Sequence, residues 1–206
     1  MDTPYTPNPQ RPMNAAERAW ERMAQGGPAI WPEQLAIYRH LARRLCGRRV
    51  VDVGCGMGIG TNVLAHWGCR VVGLDVSVEA LQIARAVYPE LTFLPWDITR
   101  GPVVVDLEGT ADACVAVELI EHIEDAVTAI RHLLASGRTL YLSTPNRATP
   151  VLGQDAPRNA YHVREYTPRE MLELLGPATI RDPFSWREVG PDSLMTPLIY
   201  EVTNAG

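Results

Sequence analysis

Short runs of β-branched and aliphatic residues alternate along this chain with stretches whose apolar positions return every three or four residues. The first run, RVVDV at 49–53, is rich in β-branched valine and is closed by glycines. That pattern predicts a strand buried on both faces of a parallel sheet. RVVGLDV (70–76), LTFLPW (91–96), ADACVAV (111–117) and RTLYLST (138–144) repeat the style. Helical spacing fills about 60–66, 78–88 and 125–135. Alternating strand and helix units predict an α/β domain, doubly wound, with helices on both faces of the sheet. Residues 145–166 read as one long loop, a length that in compact domains usually signals function. A short helix over 168–175 starts at Pro168 and stops at Gly176-Pro177, and strands near 178–184 and 196–203 complete the sheet.

The N-terminal region is patterned differently. Prolines at 4, 7, 9 and 12 forbid helix over residues 1–12, which read as a disordered or extended tail. Asn14 is placed to cap a helix beginning at Ala15, with Glu17 in the capping-box position and an end near Gly26-Gly27. A second helix follows Pro32, carrying Leu35, Tyr38, Leu41 and Leu45 about a turn apart. At 206 residues the whole fits one domain with a sizeable core.

Composition narrows the chemistry. All 19 basic residues are Arg, so no mechanism with a Lys nucleophile or Schiff base applies. A net charge of −5 argues against a broad nucleic-acid footprint, without excluding a local Arg cluster. Cys46, Cys55, Cys69 and Cys114 are scattered without CxxC pairing, which suits buried reduced thiols. There is no basic-then-apolar leader and no apolar run near the ~20 residues that span a bilayer, so a cytoplasmic protein without a membrane span is expected.

The turn leaving the first strand reads Asp52-Val53-Gly54-Cys55-Gly56-Met57-Gly58-Ile59-Gly60. In a doubly wound sheet that turn lies at the carboxyl edge, where ligands bind, and glycines let a ligand approach the backbone. A dinucleotide fingerprint fails in both registers: the third glycine falls on Ile59 or on Thr61. No phosphate-loop GxxxxGK[ST] exists either. The pattern is DxGxGxG, followed 17 residues after Gly58 by Asp75 at the end of the second strand. A carboxylate there accepts hydrogen bonds from vicinal ribose hydroxyls.

VVDVGCGMGIGT, GLDVS, LPWDI and ADACVAVELIEHIED together resemble the class I S-adenosylmethionine-dependent methyltransferases, firmly over 48–145 and loosely over 159–203. The resemblance implies a single Rossmann-like sheet, mostly parallel, of seven strands with the last antiparallel. It implies that Asp52 helps hold the methionine ammonium and that the backbone of Gly54, Cys55, Gly56 and Gly58 flanks the methionine and ribose. Asp75 would take the ribose hydroxyls. Asp97 would accept from the adenine amino group, with Trp96 and Val76 beside the ring, and the backbone of Val117 would close the amino-acid end. Residues 13–46 are expected to cover the cofactor, with 47–206 forming the methyltransferase domain.

After the fourth strand, nitrogen-directed enzymes typically carry [DN]PP[YFW]; this chain has Val117-Glu118-Leu119-Ile120-Glu121-His122, which favours oxygen as the acceptor. Glu118, Glu121 and His122 stand at i, i+3 and i+4 and share a face if the stretch turns helically. ExxEH with a later His162 resembles the ubiquinone-pathway O-methyltransferases and the 2′-O-methyltransferases of small-RNA 3′ ends. In those families the matching positions hold a divalent metal that lowers the pKa of the substrate hydroxyl. Two carboxylates and two imidazoles suit Mn²⁺, Fe²⁺, Co²⁺ or Zn²⁺ at least as well as Mg²⁺. Two other readings stay open: His122 with Glu121 as a metal-free base, or carboxylates that only favour the next helix. The acceptor is expected to be a small polar or phenolic molecule. The alternatives are an RNA or nucleotide 2′-hydroxyl, and a non-catalytic S-adenosylmethionine-binding regulator. In STPNR (143–147), Ser143, Thr144 and Asn146 are expected near the substrate. Arg147, Arg158 and Arg164 are candidates for an anionic substrate group, and Tyr161 and Tyr166 for an aromatic wall.

Overall fold

The computed structural model describes residues 30–107, 109–149, 159 and 161–203. The expected tail over 1–12 and the helix beginning at Ala15 lie outside the described residues. The ordered elements run α1 (Pro32–Arg44), β1 (Arg49–Val53), α2 (Ile59–His66), β2 (Arg70–Asp75), α3 (Val78–Val87), β3 (Thr92–Pro95), β4 (Ala113–Val117), α4 (Ala126–Ala135), β5 (Thr139–Thr144), α5 (Pro168–Leu175), β6 (Thr179–Arg181) and β7 (Leu198–Thr203). They form one seven-stranded sheet in the order β3-β2-β1-β4-β5-β7-β6. The first five strands are parallel, and β7 runs antiparallel to both β5 and β6. This is the doubly wound sheet with a reversed last strand that the sequence predicts.

The apolar runs are buried on both sides because each face of the sheet meets helices. Val50, Ala113, Val115 and Tyr141 pack with Ile37, Tyr38 and Leu41 of α1 and Leu64 of α2. Val51, Val53, Leu74, Leu140 and Leu142 point the other way, onto Ala129, Ile130 and Leu133 of α4 and Met171 and Leu175 of α5. Period-two alternation thus sends successive strand residues to two separate cores.

Helix α1 is therefore part of the layer packed on the sheet. Its register is fixed where Tyr38 crosses α2. A Cβ built on Gly60 would run into the Tyr38 ring, so only glycine lets the two helices approach this closely. The apolar stripe of Pro32–Arg44 is committed to the core, and residues 13–29 of the expected cover lie outside the described residues.

Element ends differ from the pattern reading where side chains capture backbone groups. β4 begins at Ala113 and not at 111, because Asp112 turns its carboxylate onto the Arg49 amide and guanidinium. β6 stops at Arg181 because Asp182 Oδ1 accepts from the amides of Phe184 and Ser185, closing a turn. Neither capture leaves a mark in hydrophobic spacing.

Candidate active site

The glycine turn is anchored to the neighbouring strand. The amides of Gly54 and Cys55 both donate to the Leu74 carbonyl, at 2.7 and 3.0 Å. Gly58, with φ +81°, starts α2, and a Cβ there would lie 2.6 Å from the Phe93 ring. Cys55 contributes backbone only, since its side chain packs among Leu81, Ala84 and Phe93. Asp75 faces the turn from the end of β2. One of its oxygens accepts from Gly56 N and the other from Ser77 N, each at 2.8 Å. Each carboxylate oxygen keeps a second acceptor position, so a pair of vicinal hydroxyls has two places to bond. Burial raises the Asp75 carboxyl above its usual range, and the two amides offset that.

Beside Asp75 opens a cleft of about 470 Å³ lined by Val76, Pro95, Trp96, Asp97, Arg100 and Gly101. Val76, Trp96 and Asp97 thus come together where an adenine ring is expected, and the size suits a small ligand. The Trp96 indole is held by donating to the Gly101 carbonyl. Asp97 differs from expectation in one respect. Its Oδ1 accepts from the amide and hydroxyl of Thr99, and its Oδ2 pairs with Arg100, which lowers its pKa. Its carboxylate organises the rim of the cleft first.

Asp52 is engaged by two neighbouring helices. It is fully buried, accepting from Tyr38 Oη at 2.9 Å and from Thr61 Oγ1 at 2.6 Å. These two bonds tie α1, β1 and α2 together at Asp52. Burial pushes its carboxyl up from 3.8 to about 6. A raised folded-state pKa means that the native protein holds this proton more tightly than the unfolded chain. The resulting stability is complete below about pH 4 and is lost as pH rises through about 6. Asp52→Asn removes the titration while keeping an acceptor for Tyr38. Urea unfolding at about pH 4.5 and about pH 7.5 should show the wild type losing about 2 kcal/mol relative to the variant. A wild-type-minus-variant difference that stays flat would contradict this account of Asp52.

The turn after β4 lies directly against the glycine turn. Leu119 packs over Gly54, where a Cβ would come within 2.8 Å of Leu119 Cδ1. Val117, buried at the strand end, pairs with Ser143 of β5. The stretch does turn, as a short 3₁₀ segment from Ile120 to His122. Glu118, however, sits outside it with φ +53°, a left-handed conformation unfavourable for a residue with a side chain. Ser143 holds it there: Glu118 N donates to Ser143 O and Oγ, and Ser143 Oγ donates to Glu118 Oε1. Glu118 thus bonds Ser143 and is not among the side chains whose ligand atoms lie within 4.8 Å of one another.

What converges is Glu121, His122 and His162, with one potential ligand atom from each lying within 4.8 Å of the others. Glu121 is fully buried; its Oε2 accepts from Thr144 Oγ1 at 2.9 Å and its Oε1 has no hydrogen-bond partner. An orphaned buried carboxylate oxygen is costly and marks a place for a cation or a proton. Burial, followed by the nearby Glu118 carboxylate, holds the Glu121 carboxyl well above the usual range. The two imidazoles stand edge to face, 4.8 Å between centroids. His122 Nδ1 lies 3.0 Å from the Tyr161 carbonyl, which only accepts, so Nδ1 carries the proton and Nε2 the lone pair. His162 Nδ1 lies 2.8 Å from Glu165 Oε1, and its Nε2 is 3.2 Å from Asn159 Nδ2, an amide donor. The same tautomer is therefore set in both rings.

The surrounding loops are stiffened by the residues named for substrate contact. Asn146 is buried and donates from Nδ2 to the carbonyls of Ser193 and Met195. Arg147 and Arg164 both pair with Glu170, so neither stands ready for an anionic group; Arg158 lies outside the described residues. Tyr166 is buried in the core, leaving Tyr161 as the exposed aromatic. Thr144, expected near the substrate, bonds Glu121, while Tyr38, Thr61 and Glu165 act here without any motif announcing them. Glu165, three residues after His162, carried the one available hint.

A methyltransferase-domain family model matches residues 18–178. A probable S-adenosylmethionine-dependent methyltransferase of Mycolicibacterium smegmatis is 34% identical over 142 residues, covering 68% of this chain and 54% of that protein. A ubiquinone biosynthesis O-methyltransferase of Pectobacterium atrosepticum is 30% identical over 190 residues, covering 81% and 77%. The chain spans about half the length of the mycobacterial relatives it matches. The fold is shared with an S-adenosylmethionine-dependent methyltransferase from Clostridium acetobutylicum, with a TM-score of 0.66, 12% identity, and coverage of 92% of this chain and 97% of that one. Among the described residues no helix is long and apolar enough to cross a membrane. With a glycine turn faced by the Asp75 carboxylate and an open cleft beside it, the chain belongs to the methyltransferase-domain family and has the class I S-adenosylmethionine-dependent fold.

Proposed function

We propose that this protein transfers the methyl group of S-adenosylmethionine to a hydroxyl oxygen of a small polar or phenolic acceptor, with help from a divalent metal. Supporting the reading is one observation above the rest: the buried, unpartnered Glu121 Oε1 beside two imidazoles whose lone pairs are on Nε2. Glu121, His122 and His162 would hold the ion, and Leu119 on Gly54 ties them to the cofactor turn. When bound, such an ion polarises the acceptor hydroxyl and lowers its pKa. One carboxylate and two imidazoles suit Mn²⁺, Fe²⁺, Co²⁺ or Zn²⁺ better than Mg²⁺, which prefers oxygen ligands.

The chain's own residues do the remaining work. Asp75 and the backbone of Gly54, Gly56 and Gly58 orient the adenosyl part, while Val76 and Trp96 flank the base. The backbone at Val117 closes the amino-acid end, and Thr144 keeps the Glu121 carboxylate aimed inward. Transfer from a sulfonium is an in-line displacement, so alignment and exclusion of water supply most of the acceleration. The relatives named as O-methyltransferases support oxygen as the acceptor.

The test is a panel of catechols, phenols, amines and short RNA incubated with methyl-labelled cofactor, with and without chelator. Methylation of a small-molecule hydroxyl that is lost on chelation and restored by Mn²⁺ is expected. Transfer to nitrogen or RNA, or turnover indifferent to chelator, would contradict the proposal.

A further inference from the structure

We propose that Glu165 is the positioning residue of the cation site: its buried carboxylate accepts a hydrogen bond from Nδ1–H of His162 and so fixes that imidazole as an Nε2 ligand. This rests on the metal reading above. His162 and Glu165 have side chains only 10% and 1% exposed, and their Nδ1–Oε1 separation is 2.8 Å. A carboxylate in that position does two things to a ligating imidazole. It locks the tautomer and the ring's orientation, and it makes the opposite nitrogen a stronger donor.

The loop that carries the pair is built to hold this geometry. The amides of Val163 and Arg164 donate to the main-chain carbonyl of Glu121, at 2.7 and 3.3 Å. His162 therefore hangs from the residue whose carboxylate is its partner in the trio. Downstream, Tyr166 bridges to Asn146, and its carbonyl accepts from Arg147 N. Upstream, Asn159 Nδ2 lies 3.2 Å from His162 Nε2, occupying the position that an electrophile would take. An Asn amide donating to Nε2 requires a lone pair there, which is the tautomer that Glu165 enforces. Backbone, carboxylate and amide thus agree on one ring orientation.

A carboxylate serving only the fold would affect folding and cofactor binding alike. A positioning carboxylate affects the metal selectively. The experiment uses the full chain stripped of metal by chelator and dialysis. Mn²⁺ affinity is measured by titration, the Co²⁺ complex by its visible absorption, and adenosylhomocysteine affinity by calorimetry. For Glu165→Gln, Mn²⁺ affinity should fall about 10- to 100-fold. The Co²⁺ bands should shift, and adenosylhomocysteine affinity should stay at the wild-type value. Unchanged Mn²⁺ affinity and Co²⁺ bands in a variant that still binds adenosylhomocysteine would overturn the role of Glu165, leaving the metal reading intact. Wild-type protein that takes up neither ion overturns the metal reading and this inference with it. Should Glu165→Gln not fold, Glu165→Asp decides: a loss of roughly 3- to 10-fold is expected from the displaced carboxylate, and wild-type affinity overturns the proposal.

Discussion

Glu121→Gln should reduce methyl transfer on the order of 10³-fold and weaken Mn²⁺ binding by at least about 100-fold. The amide keeps the shape of the side chain and an acceptor for Thr144, but it cannot ionise and so offers a cation no charge at the buried oxygen that lacks a partner. Adenosylhomocysteine affinity should not change, because the contact with the glycine turn is made by Leu119 and not by Glu121. The wild-type site carries a pH signature of its own. Burial and the neighbouring Glu118 keep the Glu121 carboxyl protonated well above the ordinary carboxylate range. Metal uptake must displace that proton, so affinity should rise with pH and calorimetry in buffers of different ionisation enthalpy should register its release. A Glu121→Gln enzyme with wild-type turnover would remove the metal from the account.

Asp75→Ala should act on the other half of the site. Two hydrogen bonds from a ribose diol to a partly buried carboxylate are worth about 2–3 kcal/mol, so adenosylhomocysteine affinity should fall roughly 100-fold. The 2′-deoxy analogue of that ligand should lose less, because one of the two bonds is already absent. Mn²⁺ binding should be untouched, since Asp75 and the trio sit on opposite sides of the glycine turn. A uniform loss across both ligands would mean that the substitution acts by releasing the Gly56 and Ser77 amides. In that case Asp75 is a turn-former and not a ribose ligand.

The two halves differ in how far they could be read from residues alone. The strands were legible because a strand covered on both faces must be apolar throughout, and RVVDV and ADACVAV have little other use. The glycine turn with Asp75 facing it was legible because backbone freedom and a carboxylate at a fixed offset are local properties. The cluster of Glu121, His122 and His162 was only partly so. The i, i+3, i+4 spacing assumed one regular helical turn, whereas Glu118 adopts φ +53° and is captured by Ser143, twenty-five residues later in the chain. The partners of Asp52 were hidden for a similar reason. Its role is decided by Tyr38 on α1 and Thr61 on α2, and such distant partners leave no trace in a motif. Arg147 and Arg164 looked free as sequence and prove to be joined through Glu170. Each of these departures is a side chain recruited by a tertiary neighbour, the kind of event that spacing does not encode.

One titration bears on the central claim more directly than any other: calorimetry of the purified chain with adenosylhomocysteine, run beside a nicotinamide dinucleotide and a flavin. The expected result is one-to-one uptake of adenosylhomocysteine and no heat from the other two. No uptake of adenosylhomocysteine by folded protein, or binding of a dinucleotide in its place, would contradict the assignment of the glycine turn and Asp75.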